Sequence, residues 1–226
     1  MATRALSQAA PRPLATPTDL GPDDVRAVVE AVNPLIADAI ALYVKTKNFH
    51  WHVSGPHFRD YHLLFDEQAE TVLESVDVLA ERIRKIGGTT IRSIGQVSGL
   101  QNIEDDDEEF VTPLEMVHRL MEDNRGMAQR MRAAIEVCDE HHDTPTGNVL
   151  QEILDHTERR VWFLHEVSQS GEPAVAMRAD ESRPASRAPS GRGDSHDTES
   201  QRRGSNTAAR GSSERGRPMG GRSTRR

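Results

Sequence analysis

HFRDYHLLFDEQAETVLESVDVLAERIRKI, residues 57–86, carries two patterns on one predicted helix. Its apolar residues Phe58, Tyr61, Phe65, Val72, Leu73, Val76, Leu79, Ala80 and Ile83 recur at helical spacing as a buried face, and Gly87-Gly88 then stop the helix. The second pattern is polar. At about 100° per residue, His62, Asp66, Asp77 and Glu81 fall within an arc of about 100°, so their side chains point the same way. His50 stands just before this helix. A histidine and three carboxylates on one stripe suit iron or a similar divalent metal. A solvated helix face has the same look, and spacing alone leaves both readings open. Reach adds a constraint. His62 and Asp77 lie about 22 Å apart along a helix axis, whereas metal–ligand bonds are about 2 Å long. Within one chain the two ends cannot hold the same ion; a shared ion requires antiparallel helices from two subunits, related by a two-fold axis.

Working outward, cap candidates and early acids at 18–24 open a first helix that runs to about residue 52. Pro34 lies inside it and is expected to kink or divide it. Ser54-Gly55-Pro56 then breaks the chain. After the second helix comes a long connection, 89–112, with a short helix near 93–100 and an acidic run at 104–109 read as a solvated loop. A third long helix spans about 112–140, and a fourth begins at Pro145 and ends near 170. No segment reads as a strand. Four long helices with one long crossover between the second and third predict an all-α, ferritin-like four-helix bundle.

Composition changes near residue 173. Residues 174–226 contain no Leu, Ile, Phe, Trp or Tyr, and such a segment cannot bury enough apolar surface to offset its ordering entropy. The chain is therefore divided into a flexible arm, 1–20, a folded domain, 21–172, and a disordered tail, 173–226. Charge divides at the same place. The whole chain carries 28 basic and 36 acidic residues, net −8. Residues 174–226 hold 12 Arg and 6 acids, net +6, leaving net −14 for residues 1–173. Cys138 is the single cysteine, which excludes an intrachain disulfide and fits a reducing compartment. The N-terminus has no continuous apolar core of a secretory signal, and no apolar run approaches the length of a membrane span. The cytoplasm is the expected location, and no membrane partner is expected.

KTKNFHWHVSGPHF, residues 45–58, together with His62-x3-Asp66, Asp77-x2-Ala80-Glu81-Arg82, Gly87-Gly88 and the closing RVWFL at 160–164, resembles the Dps family, the DNA-binding proteins from starved cells. These are dodecameric miniferritins, and the resemblance covers about residues 20–170. It implies a ferroxidase centre at a two-fold dimer interface, with His50, His62 and Asp66 from one subunit and Asp77 and Glu81 from its partner. It also implies oxidation of Fe²⁺ to Fe³⁺, with hydrogen peroxide as oxidant, and ferric mineral stored in a hollow shell. Trp51 would lie near the iron as a radical trap, or simply pack at the interface. Asp139 and Asp143 resemble acids that line the family's three-fold pores; an exposed acidic turn is the alternative. The other ferritin arrangement, paired Glu-x-x-His motifs inside each bundle, is rejected because Glu115-x-x-His118 is the only such pair on the helices.

The tail has Arg and no Lys, which favours phosphate contacts through the planar guanidinium. Arg202, Arg203, Arg210, Arg215, Arg217, Arg222, Arg225 and Arg226 are the candidate DNA contacts. Binding would be independent of sequence and salt-sensitive, strengthened by many tails on one shell and opposed by the acidic body. An alternative reading follows: a nucleoid-binding, DNA-compacting protein whose metal site is secondary or structural.

Overall fold

Pro22 in the first turn, with Asp23 and Asp24 beside it, opens a helix that runs to His52 (α1, Pro22–His52) in the computed structural model, which describes residues 14–169. Of the two outcomes expected at Pro34, a kink or a division, the division does not occur, and α1 is continuous through it. Asn33, Leu35 and Ile36 are buried on either side, and the Asn33 amide donates to the Thr89 carbonyl at 3.1 Å. Burial of this stretch outweighs the roughly 3 kcal/mol that an interior proline costs. Contrary to the expectation that no stretch approaches a membrane span, α1 meets that test by length and composition, with mean hydropathy 1.6. Its apolar window is 56% buried inside the protein, which accounts for its composition.

The second helix (α2, Phe58–Lys85) ends where Gly87 turns at φ 83°, with Gly88 N–H bonded to the Ile83 carbonyl at 3.0 Å and Gly87 N–H to Arg84 at 3.1 Å. This paired bonding is the Schellman stop that a glycine in the left-handed region allows. Residues 14–20, within the expected arm, run beside this end: Arg84 Nη2 donates to the Leu14 carbonyl at 2.6 Å. A short helix follows (α3, Ile94–Leu100), capped by Ser93, whose hydroxyl accepts from Gln96 N–H at 3.3 Å. The fourth (α4, Pro113–Glu140) is capped by Thr112, and the fifth (α5, Thr144–Ser168) by Asp143.

Pairings across the bundle give the helix directions. Lys47 meets Asp66 and His50 meets His62, so α1 and α2 are antiparallel. Asp38 meets Arg130 and Lys45 meets Asp123, so α1 and α4 are antiparallel too. It follows that α2 and α4 are parallel, and the 86–112 connection must cross the length of the bundle, as in ferritin-like proteins. The core between the helices is filled by fully buried side chains, among them Phe49, Phe65, Leu42, Leu79, Met127 and Leu150. Among the described residues there is no strand.

The crossover is tied down, and the acidic run is not simply solvated. Asp38, 0% exposed, accepts backbone N–H groups of Asn102 and Ile103. Lys45 and Asn48 each donate to a carbonyl further along, at Glu104 and Asp106, both at 3.1 Å. Arg119 draws in Asp106 at 2.8 Å, Glu108 at 3.0 Å and Glu115 at 2.7 Å.

Candidate metal centre

The break between α1 and α2 brings His50, in the last turn of α1, against His62 in the second turn of α2. Their imidazoles stack at 3.8 Å with an interplanar angle of 19°. Each Nδ1 faces the other residue's carbonyl, His50 to His62 at 2.7 Å and His62 to His50 at 2.9 Å. A carbonyl carries no proton, so each Nδ1–H donates, and in the neutral ring the lone pair belongs to Nε2. This outer hydrogen bond is how a metal-binding imidazole is commonly oriented. His50 is buried and His62 half-buried.

Asp66, one turn beyond His62, places Oδ1 3.9 Å from His50 Nε2. Lys47 Nζ bonds the same oxygen. That bond, opposed by partial desolvation, holds the Asp66 carboxyl below its ordinary value and raises the Lys47 ammonium. The sequence pattern alone does not single out Lys47, although it stands three residues before His50, the spacing that shares a helix face.

Asp77 and Glu81 stand apart from this cluster, further along α2, and both are exposed. Glu81 pairs with Lys85 at 3.3 Å. Among the described residues of one chain, no three His, Cys, Asp or Glu side chains lie close enough together to hold a metal. The ligand stripe is also apolar in places. Leu63 and Leu73 lie on the same arc and are 47% and 46% exposed. The assignment of Leu73 to the buried face is therefore wrong: its angular position belongs to the ligand stripe. Phe58, also expected to be buried, is 45% exposed and stacks on His62 at 4.9 Å.

Trp51, 63% exposed, borders a groove of about 890 Å³ that runs along α1, α3 and the crossover, with Val44, Ile94 and Phe110 among its exposed apolar walls. His52 and His57 are exposed. His118 is exposed and Glu115 is engaged by Arg119, so no second metal motif forms there.

Asp143 needs correction. It is 1% exposed, pairs with Arg82 at 2.8 Å, and caps α5 by accepting from Thr146 N–H at 3.2 Å. It is neither a free pore acid nor an exposed turn residue; its carboxylate closes the α4–α5 corner. Asp139 is exposed. Burial, with Asp143 and Asp139 nearby, pushes the Cys138 thiol up to about 12, so it is protonated and unreactive at neutral pH. The eight tail arginines, Arg202 to Arg226, lie outside the described residues.

The profile of the ferritin-like domain matches residues 29–172. The DNA protection during starvation protein of Brevibacillus brevis is 32% identical over 137 residues, 61% of this chain and 91% of its own length. The crystal structure of a Dps protein from Bacillus brevis aligns with a TM-score of 0.62 at 30% identity, covering 64% of this chain and 97% of that one. A Dps protein from Vibrio cholerae O1, described as a member of a broad superfamily of ferritin-like diiron-carboxylate proteins, aligns at 0.64 over 68% and 96% of the two chains. At 22% identity that last likeness speaks for the fold alone. With its matched domain, its antiparallel helix pairs joined by a full-length crossover, and these relatives, the chain belongs to the ferritin-like family, among the Dps proteins.

Proposed function

We propose that this chain is a ferroxidase and iron store whose oxidation site is completed between two copies. His50, His62 and Asp66 of one copy and Asp77 and Glu81 of the other bind Fe²⁺. Two Fe²⁺ ions each give one electron to hydrogen peroxide; its O–O bond breaks, and the two oxygens leave as hydroxide. The Fe³⁺ product passes to a mineral inside a shell of further copies. Removing Fe²⁺ and peroxide together, in the cytoplasm, protects DNA from hydroxyl radical. The carrying observation is the reciprocal histidine lock, which turns both Nδ1 atoms inward and frees both Nε2 lone pairs. Further support comes from Leu63 and Leu73, exposed among the ligands of a single chain, which pairing with a second copy would take out of water. The donor set fits iron: carboxylates suit both oxidation states, and imidazoles favour a transition metal over Mg²⁺ or Ca²⁺.

The test is anaerobic loading with Fe²⁺ followed by a stoichiometric pulse of peroxide, with ferric absorbance and radical trapping as readouts. Oxidation well above a protein-free control, without radical, is the expected result, and Asp77→Ala with Glu81→Ala should abolish it. A rate no greater than the control would overturn the reading.

A second reading rests on the tail's 12 Arg and net +6. It binds DNA without sequence preference, and the metal centre is secondary. Deletion of 174–226 separates the two: iron oxidation should persist while DNA co-precipitation is lost.

A further inference from the structure

Resting on the proposed metal site, we infer that Phe58 is a positioning residue that sets the direction of the His62 Nε2 lone pair. His62 touches two rings, His50 at 3.8 Å and 19° and Phe58 at 4.9 Å and 29°. Both rings therefore stack on the His62 imidazole, each within 30° of its plane. A single hydrogen bond, His62 Nδ1 to the His50 carbonyl at 2.9 Å, fixes one atom of the ring but leaves its plane free to rock about that bond. The two stacked rings remove this freedom. A metal–imidazole bond lies in the ring plane, so a tilt of the ring misaims Nε2 away from the ion that Asp66 would share.

The turn between the helices is built to hold Phe58 there. Phe58 N–H bonds the Gly55 carbonyl at 3.0 Å, and Gly55 itself adopts φ 109°, a conformation that favours glycine. The ring's flat face, rather than its volume, is what His62 uses.

The test uses full-length protein and Co²⁺ as a visible probe for N and O ligands. Wild type, His62→Ala, Phe58→Leu and Phe58→Tyr are titrated at concentrations where sizing shows each to be assembled. Wild type should bind and His62→Ala should lose binding. Phe58→Leu keeps apolar bulk but no ring face; its affinity should fall by about 2- to 12-fold, the equivalent of one aromatic pair. Its Co²⁺ band shape at saturation should change, and Phe58→Tyr should restore both. Wild-type affinity and band shape in Phe58→Leu would overturn the role of Phe58 while leaving the metal site standing. Equal binding by wild type and His62→Ala would overturn the site, and Phe58's role with it. If Phe58→Leu does not assemble, Phe58→Met is read by the same criteria.

Discussion

Mixing two inactive variants, His62→Ala and Glu81→Ala, should restore activity if the metal centre is shared between chains. Along α2 these residues lie about 28 Å apart, far beyond the reach of one ion. In a two-fold pair each of two sites takes His50, His62 and Asp66 from one chain and Asp77 and Glu81 from the other. A pair of unlike variants therefore has one site broken twice and one site intact. Random assembly from equal amounts makes half of the pairs unlike, so about one quarter of all sites are whole. Glu81→Ala leaves the fold intact, since the Glu81–Lys85 pair is about 60% exposed on both sides and worth less than about 0.5 kcal/mol; far-UV circular dichroism and sizing check that His62→Ala folds and assembles. The assay is the rate of ferric absorbance after a peroxide pulse, for each variant alone and after joint unfolding and refolding. About a quarter of the wild-type rate is expected from the mixture and background from each parent. A mixture no faster than its parents, with mixed assembly verified by tags, would refute the shared site.

Asp143→Ala removes a helix cap and leaves Arg82, only 17% exposed, without its carboxylate; urea unfolding should show a loss of about 3 kcal/mol, whereas Asp139→Ala should be nearly neutral. A hydrogen bond from His141 at 2.7 Å holds the Asp24 carboxyl below its ordinary 3.8. The stabilisation this gives is fully present above that value and is lost as pH falls through the lower folded one. Melting temperature should therefore fall less steeply in the acid limb for His141→Ala than for wild type; identical acid limbs would refute the link.

Most of the architecture is legible along the chain because helix periodicity, caps and glycine stops are local. The second helix, expected over 57–86, is observed as Phe58–Lys85, and the short crossover helix, expected near 93–100, as Ile94–Leu100. What sequence reasoning misses depends on partners remote along the chain. Asp143 looks like a surface acid until Arg82, 61 residues earlier, closes on it. Asp106 looks like part of a solvated run until Arg119 and Asn48 hold it. Leu73 satisfies an apolar pattern, yet its angle places it among the ligands rather than in the core. Pro34 does not divide its helix, because the residues on both sides of it are buried.

The two halves of the proposed centre differ in the freedom they have before a second chain arrives. His50 and His62 are already fixed by backbone hydrogen bonds and stacking, so binding an ion costs them little entropy. Asp77 and Glu81 are exposed, and ordering a carboxylate side chain can cost up to about 2 kcal/mol. The histidine half thus supplies preorganisation, while the carboxylate half makes full affinity depend on pairing. Linkage then runs in both directions: an ion that needs both halves favours the paired state by the factor by which it occupies the sites. With two sites per pair and free Co²⁺ at ten times its dissociation constant, the pairing constant should tighten by about a hundredfold. In the proposed pair, Leu63 and Leu73 would supply a part of the pairing that metal does not change. Sedimentation of dilute protein with and without Co²⁺ measures the shift, and an unchanged constant would mean that one chain already holds every ligand the ion uses.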